Sequence, residues 1–192
     1  MHTDVTWKLS GLPKSSIIGI GTSVETARFR CMLADKLEIS PSQVEGSWVV
    51  GEQNKNFPLW STVSFLGVKL HDLNANAGDI ESDQENWTQI NKDMEKSKNQ
   101  IIKSKQNCNY AIALCCCDLI TAVLNDKSEF KTVSVMVKEF YGIDKEVFLS
   151  IPCMISRAGV GDCLNLKLND QDLKKLRNSA NIIDEIQMGI NF

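Results

Sequence analysis

The chain has 192 residues, a formal net charge of −3 and an isoelectric point near 5.5. Its hydrophobic fraction of 43% and charged fraction of 23% are typical of a globular domain and exclude a disordered chain. The mildly acidic balance argues against nucleic acid or an anionic membrane surface as the main partner. No apolar run has the length of a membrane span, and residues 1–15 lack the apolar stretch of a signal peptide.

The first part of the chain predicts a short strand followed by a helix. Residues 16–19 have the composition of the end of a short buried strand, and the apolar spacing of residues 22–37 predicts a helix. Thr22 and Glu25 fit a capping box at the start of that helix. Its predicted apolar face consists of Ala27, Cys31, Leu33, Ala34 and Leu37.

The middle of the chain predicts two short strands and a long helix. Residues 48–50 indicate one strand, and a second is predicted after Pro58, through Trp60, Val63 and Phe65. Residues 67–82 are rich in loop residues, and residues 82–104 predict a long amphipathic helix. Acidic residues interrupt a lysine-rich stretch that begins in this helix, which favours a solvated face over a phosphate or partner patch. These lysines are Lys92, Lys96, Lys98, Lys103 and Lys105.

The last part of the chain predicts an apolar helix, three strands and a closing helix. Residues 109–124 are so apolar that we expect a buried helix. Strands are predicted near 131–140 and 146–155, with a turn at 141–144 between them, and again at 160–168. Asn169 is the predicted N-cap of the last helix, because apolar residues keep helical spacing after it. This order predicts a single α+β domain, with antiparallel strands packed with long helices.

The seven cysteines do not suggest a disulfide framework or a metal site. Three are consecutive, at 115–117, so they project in different directions from one helix, and no CxxC pair is present. We interpret the cysteines as small buried hydrophobic residues of a protein in the reducing cytosol.

Two short patterns leave alternatives open. Gly19-Ile20-Gly21 lies between a predicted strand and a helix, but Val24 occupies the third glycine position of a dinucleotide loop, so we interpret it as a turn. Glu25 and Arg28 lie three residues apart and share a helix face. They form either a surface ion pair of little energetic value or a site at which Arg28 binds a carboxylate through two parallel hydrogen bonds.

A set of segments follows one another in collinear order from Val5 to the C-terminus. They are Val5–Lys14, Ile18–Thr22, Ala27–Arg30, Gly51–Glu52, Pro58–Ser61, Tyr110–Leu114, Tyr141–Ile143 and Val147–Cys153. This set resembles vertebrate-type L-lactate dehydrogenase just after its cofactor domain. The Arg-Phe-Arg tripeptide at 28–30 favours the lactate branch over the related malate branch.

The resemblance implies roles for four residues. In that family an acid three residues before an arginine orients the catalytic histidine, and the arginine binds the substrate carboxylate, which implies these roles for Glu25 and Arg28. The histidine belongs to a Gly-Glu-His-Gly-Asp-Ser segment. This chain has Gly-Glu-Gln-Asn-Lys-Asn at 51–56, which places Gln53 at the histidine position. A threonine that borders the substrate corresponds to Cys108, a poorer hydrogen-bonding group.

The glutamine bears directly on the reaction that the resemblance implies. In the family a hydride moves between the nicotinamide ring of NAD and the C2 carbon of pyruvate or lactate. A group that titrates near neutral pH must deliver a proton to the developing alkoxide, and histidine suits this role. Gln53 has no titratable proton, and loss of positioned acid–base catalysis typically costs about 10²–10⁴ in rate. We therefore expect a weak or inactive enzyme.

The resemblance also implies the domain organisation. Residues 1–15 would be a remnant of the segment that follows the cofactor domain, and residues 16–192 would form the substrate-binding C-terminal domain. We expect no cofactor domain and therefore no binding of NAD by this chain alone. One hypothesis is a cytoplasmic lactate dehydrogenase-like protein that takes a 2-oxo or 2-hydroxy acid. The other is a non-catalytic module that joins oligomers with complete subunits, and a degenerate product without function is a third alternative.

Overall fold

The computed structural model describes residues 2–52, 55–79 and 81–190. The chain divides into two compact units. The first unit contains Met1–Ser23, Val50–Phe57 and Leu114–Phe192, and the second contains Val24–Val49 and Pro58–Ala113. Within the described residues, no single helix has the length and apolar character to cross a membrane, and only one bent pair of helices satisfies both criteria together.

Helices and antiparallel strands together confirm the α+β class. The helices are α1 (His2–Ser10), α2 (Ser23–Leu37), α3 (Leu70–Leu73), α4 (Gln89–Lys105), α5 (Asn109–Leu124) and α6 (Asp170–Met188). The strands are β1 (Val44–Glu45), β2 (Val49–Val50), β3 (Phe57–Pro58), β4 (Ser64–Phe65), β5 (Val68–Lys69), β6 (Glu129–Met136), β7 (Phe148–Ser156) and β8 (Gly159–Cys163). They form the antiparallel sheets β1-β4-β5 and β6-β7-β8 and the two-stranded pair β2-β3.

The first unit is built on the sheet β6-β7-β8. Its central strand β7 is mostly apolar and is buried on both faces over most of its length. Helix α6 packs against β7, and its buried residues Leu176, Ala180 and Ile183 keep the predicted helical spacing. The Asn169 side chain accepts a hydrogen bond from the Asp172 amide (2.7 Å), which confirms the predicted N-cap.

The second unit has its own apolar core. Phe29 and Leu33 of α2 are fully buried there, and the ring of Phe29 meets that of Trp60 edge-on, with the centroids 5.0 Å apart. Gly78 packs directly against the Trp60 indole, where a Cβ atom would overlap the ring. Because its φ is +87°, glycine suits this position in both space and backbone conformation.

Two strand predictions in the first half are wrong. No strand forms at residues 16–19. A 3-10 turn at Lys14–Ser16 ends there, and the segment then pairs with β6 at one residue only, through a bridge from Gly19 to Ser134. The strand predicted after Pro58 is interrupted by a 3-10 turn at Trp60–Thr62, which the Thr62 hydroxyl stabilises by donating to the Leu59 carbonyl (2.8 Å). Only Ser64–Phe65 forms a strand there.

The long helix begins later than predicted, at Gln89 rather than Ser82. The Asp83 carboxylate accepts a hydrogen bond from the Thr88 amide (2.6 Å), and Asn86 has a φ of +55°, so these residues form turns ahead of the helix. The three C-terminal strands are confirmed with different ends. Strand β6 stops at Met136 because Glu139 and Tyr141 adopt positive φ in the following turn.

Burial of the apolar helices was predicted less well than their positions. Helix α5 has the predicted bounds, but only Leu119 and Ala122 are buried, while Tyr110 and Leu114 are 77% and 72% exposed. Apolar residues occur on every side of this helix, but among the described residues only one side of it is packed against other parts of the chain. In α2, likewise, the predicted core positions Ala27 and Cys31 are exposed, because the buried stripe runs through Thr26, Phe29 and Leu33 instead.

Candidate functional site

Helix α2 positions two of the four residues that the sequence predicted. The buried Thr26 hydroxyl accepts a hydrogen bond from the Val49 amide (3.1 Å), and the Arg30 guanidinium donates to the Ser47 hydroxyl (3.3 Å). These contacts fix one side of the helix. Because an α-helix turns about 100° per residue, Glu25 and Arg28 lie on the other side, and both are half-buried. Their shared face is therefore held in place by the core beneath it.

Glu25 forms an ion pair with Lys98 of α4, with Nζ and Oε1 3.9 Å apart. Among the described residues it does not pair with Arg28 of its own helix, so the surface ion pair considered from the sequence is not the one that forms. The Lys98 side chain is 35% exposed and that of Glu25 is 19% exposed. The negative charge of Glu25 is thus balanced by a different helix of the same unit.

Lys98 was assigned to a solvated lysine face by its sequence context. The other lysines of the stretch are exposed, whereas Lys98 is half-buried. The buried residues of α4 are Ile90 and Met94, and Lys98 comes next at the same spacing of four residues. The spacing was the available signal, since it places Lys98 on the inner stripe of the helix.

Cys108 lies just before α5 and is half-buried. Its carbonyl accepts a hydrogen bond from the Ile112 amide (3.2 Å) at the start of that helix. In the part of the chain that the structure describes, no hydrogen bond or ion pair joins Cys108 or Arg28 to the Glu25–Lys98 pair. The structure therefore brings together Glu25 and a lysine that was not predicted for the site.

Gln53 lies outside the described residues, but the segment before it is well defined. Gly51 forms a bridge with Ser150 of β7, with both backbone hydrogen bonds 3.0 Å long. The Ser150 hydroxyl donates to the Glu52 carboxylate (3.0 Å) and accepts from the Thr22 amide (3.1 Å). Ser150 thus joins two loops of the first unit, a role that sequence analysis did not identify because it depends on the register of β7.

The Gly19-Ile20-Gly21 segment is confirmed as a turn. Gly21 has a φ of +54°, and a Cβ atom there would overlap the Ser150 hydroxyl and the Ser134 amide. Protein atoms thus already fill the space beside this glycine, so the turn does not fit a dinucleotide phosphate. Nor do the described residues contain a group of three or more His, Cys, Asp or Glu side chains arranged to hold a metal ion.

Comparison with known proteins identifies the family. Residues 22–192 match the lactate/malate dehydrogenase, alpha/beta C-terminal domain. The chain belongs to the lactate/malate dehydrogenase family. Over 186 residues it is 44% identical to the L-lactate dehydrogenase B chain of Mus musculus and 43% identical to that of Homo sapiens. It spans 55% of the length of both, and 85% of the B chain of Oryctolagus cuniculus, to which it is 42% identical.

Membership of the lactate/malate dehydrogenase family agrees with the architecture. The matched region begins at Thr22, immediately before α2, and includes α2, α4, α5 and the sheet β6-β7-β8. Each residue that the resemblance assigned to the site, Glu25, Arg28, Gln53 and Cys108, lies within the matched residues.

Proposed function

We propose that this chain is a cytoplasmic L-lactate dehydrogenase-like protein that binds the carboxylate of a 2-oxo or 2-hydroxy acid such as pyruvate or lactate through Arg28, with weak or no turnover of its own. The 44% identity to an L-lactate dehydrogenase B chain supports the substrate class. In this proposal residues 16–192 form the substrate-binding domain, and residues 1–15 are the end of the segment that joins it to a cofactor domain.

The Glu25–Lys98 ion pair is the observation that carries the carboxylate-binding role of Arg28. Because Lys98 balances the charge of Glu25, the guanidinium is not needed as its partner, and Arg28 has no ion pair or hydrogen bond among the described residues. A half-buried guanidinium matches a carboxylate through two parallel, charge-assisted hydrogen bonds. The opposite side of the helix is anchored by Thr26 and Arg30, which limits the movement of Arg28.

The chemistry of position 53 supports the low turnover. The amide of Gln53 can donate a hydrogen bond to a carbonyl oxygen but cannot release a proton to it near neutral pH. Such a residue helps to hold a 2-oxo acid while leaving the acid–base step without a donor. NAD enters this proposal as the cofactor of the family. Other residues would have to bind it, because the glycine turn described above does not fit its phosphates.

Binding of pyruvate tests the proposal without requiring turnover. We would measure its Kd by ligand-observed NMR for the chain, for Arg28→Gln and for Arg157→Gln, the last being an exposed control. Loss of a charge-assisted pair is worth about 1.5–3 kcal/mol, so Arg28→Gln should raise the Kd roughly 10- to 100-fold. Equal binding by the chain and by Arg28→Gln would refute the role of Arg28. Oxidation of NADH with pyruvate well above background would refute the low turnover.

A non-catalytic role in hetero-oligomers is the second candidate, and helix α5 favours it. Tyr110, Leu114, Ile120 and Leu124 of this helix are all more than half exposed, as expected of a surface that contacts another chain. The test is to mix the purified chain with complete L-lactate dehydrogenase subunits and analyse the mixture by sedimentation. Co-sedimentation that Leu114→Glu abolishes would support this candidate, and a strictly monomeric chain in the mixture would contradict it.

A further inference from the structure

Cys153 and Cys163 face each other across neighbouring strands. Cys153 on β7 and Cys163 at the end of β8 are directly paired in the antiparallel register. Their sulfur atoms are 2.8 Å apart, within hydrogen-bonding distance, and both residues are thiols. A disulfide bond is about 2.05 Å long, so the sulfurs need to approach each other by less than about 1 Å to bond. This arrangement differs from that of the consecutive cysteines at 115–117, which project from one helix in different directions.

We propose that Cys153 and Cys163 are a redox modification site, at which a low-molecular-weight disulfide of the glutathione type converts the two thiols into a reversible cross-strand disulfide. The two residues are unequal in access. Cys153 is fully buried, whereas Cys163 is half-buried and lines an open surface cavity of about 330 Å³. A reagent in solution therefore meets Cys163 first, and Cys153 reaches only the neighbouring sulfur.

The cavity beside Cys163 suits an anionic thiol reagent. Lys14 and Lys138 line it together with Glu139. A glutathione-type disulfide carries carboxylates of its own, for which the ammonium group of Lys14 is a partner in this lining, while Asp162 beside Cys163 opposes its approach. Lys138 also pairs with Glu146 (3.1 Å), which tempers this attraction without removing the charge of Lys14.

The two thiols also differ in acidity. The hydrogen bond from the Cys153 thiol lowers the pKa of Cys163, against the opposing effects of burial and of Asp162. The same hydrogen bond, together with burial, raises the pKa of Cys153. Since the thiolate is the nucleophile in thiol–disulfide exchange, Cys163 attacks and Cys153 resolves.

The exchange balances in two steps. The Cys163 thiolate attacks one sulfur of the small disulfide, whose S–S bond breaks, and the first small thiolate leaves while a mixed disulfide forms on Cys163. Cys153 then loses its proton and attacks the Cys163 sulfur, the mixed bond breaks, and the second small thiolate leaves. The two cysteines are oxidised, the reagent is reduced to two thiols, and a dithiol reductant reverses both steps.

The decisive experiment treats the native chain with oxidised glutathione, alkylates the remaining thiols and maps the products by peptide mass spectrometry. We expect a Cys153–Cys163 cross-linked peptide that dithiothreitol removes. Cross-linking should also raise the Tm of the chain by about 5–10 °C. No reaction at Cys163, a stable mixed disulfide there, or a cross-link confined to Cys31 or to residues 115–117 would each overturn the proposal.

Matched variants separate the two roles. Cys153→Ala keeps a small apolar side chain in the core and should trap the mixed disulfide on Cys163, whereas Cys163→Ser should leave Cys153 unmodified in the native chain. Cys31→Ser, at an exposed position on α2, should not change the cross-link. If Cys153→Ala fails to fold, brief treatment of the unsubstituted chain replaces it, and a mixed disulfide that forms on Cys163 before the cross-link gives the same order of steps.

Discussion

The ammonium group of Lys98 lies 3.9 Å from the carboxylate of Glu25, so the acid that the family resemblance assigns to the site has its cation on α4. Residues three apart on a helix are neighbours, with Cβ atoms about 5–6 Å apart, so the charge of Glu25 also acts on an anion bound at Arg28. Lys98 offsets that repulsion. Under the role proposed for Arg28, the pair therefore acts on carboxylate binding as well as on the packing of the two helices.

Lys98→Met should weaken pyruvate binding by roughly threefold. Without Lys98, the charge of Glu25 repels the bound carboxylate, and the high dielectric constant near the protein surface keeps this repulsion small. The double variant Glu25→Gln/Lys98→Met should return the Kd close to its original value. Lys96→Met, an exposed position on the same helix, is the control. The measurement is the same NMR titration, and a Kd that is unchanged in Lys98→Met would show that the pair does not influence the site.

Leu33→Ala should lower the free energy of unfolding by about 2–5 kcal/mol, because it opens a cavity at a fully buried position of the second core. Leu73→Ala, at a residue of the same unit that is 64% exposed, should change it by less than about 0.5 kcal/mol. Urea unfolding followed by tryptophan fluorescence gives both values. Equal effects at the two positions would mean that the core is not packed around α2 as described.

Local signals in the sequence predicted where helices form better than they predicted which helix faces are buried. Helix α6 was predictable because Asn169 provides its cap and Leu176, Ala180 and Ile183 keep the spacing of its buried stripe. Helix α5 was placed correctly but assigned to the core, because an apolar composition does not specify which face finds a partner.

The same limit applies to the candidate site. Arg28 was found through the motif around it, whereas Lys98, which pairs with Glu25, lies 73 positions further along the chain. Cys153 and Cys163 meet only because β7 and β8 take one particular register. Side chains that are joined by tertiary packing or strand register leave only weak patterns in a single sequence.

Tyr141→Phe should destabilise the chain at neutral pH. The Tyr141 hydroxyl donates to the Leu164 carbonyl (2.6 Å) and accepts from the Leu166 amide (3.3 Å), so it binds the segment that follows β8. Because Tyr141 is half-buried, loss of these hydrogen bonds should cost about 1 kcal/mol. Chemical unfolding at pH 7 gives the value, and a change below the error of the method would contradict the role of the hydroxyl.

At alkaline pH the stability of the original chain should fall more steeply than that of Tyr141→Phe. Burial raises the pKa of Tyr141 above its ordinary value of 10.0. Since the folded pKa exceeds the unfolded one, the stabilisation is complete below the unfolded pKa and is lost as the pH rises through the folded pKa. Above pH 10 the difference between the original chain and Tyr141→Phe should therefore shrink, and a difference that grows there would be inconsistent with the burial of a neutral phenol.

Lys131→Met should reduce stability by up to about 1 kcal/mol at pH 6, because Lys131 contacts Asp118 (2.7 Å) and Glu129 (2.8 Å) on a partly exposed surface. The hydrogen bond from Lys131 lowers the pKa of Glu129 below its ordinary value of 4.5. The folded pKa is thus below the unfolded one, so the contribution is present above pH 4.5 and is lost as the pH falls through the folded value.

Unfolding curves for the two proteins between neutral pH and strong acid test this, and the curves should converge in acid. Because exposed charges are screened within about 3 Å at 1 M salt, high salt at pH 6 should also reduce the difference. A difference that persists at full size in acid and in high salt would assign the effect to the packing of the lysine stem instead.

Gln53→His should restore proton transfer if the missing donor is the main obstacle to turnover. The variant requires a fusion of this chain to the cofactor domain of a related L-lactate dehydrogenase, so that NADH is bound. Compared with the unsubstituted fusion, the rate of pyruvate reduction should rise by about 10²–10⁴ and acquire a pH dependence near the pKa of histidine. Gln53→Asn, which keeps an amide, is the control and should show neither change.

A fusion that binds pyruvate and NADH but gains nothing from the histidine would assign the loss to the altered sequence around position 53. In that case Asn54→Gly is the next substitution, because glycine restores the backbone freedom that the family segment has at this position.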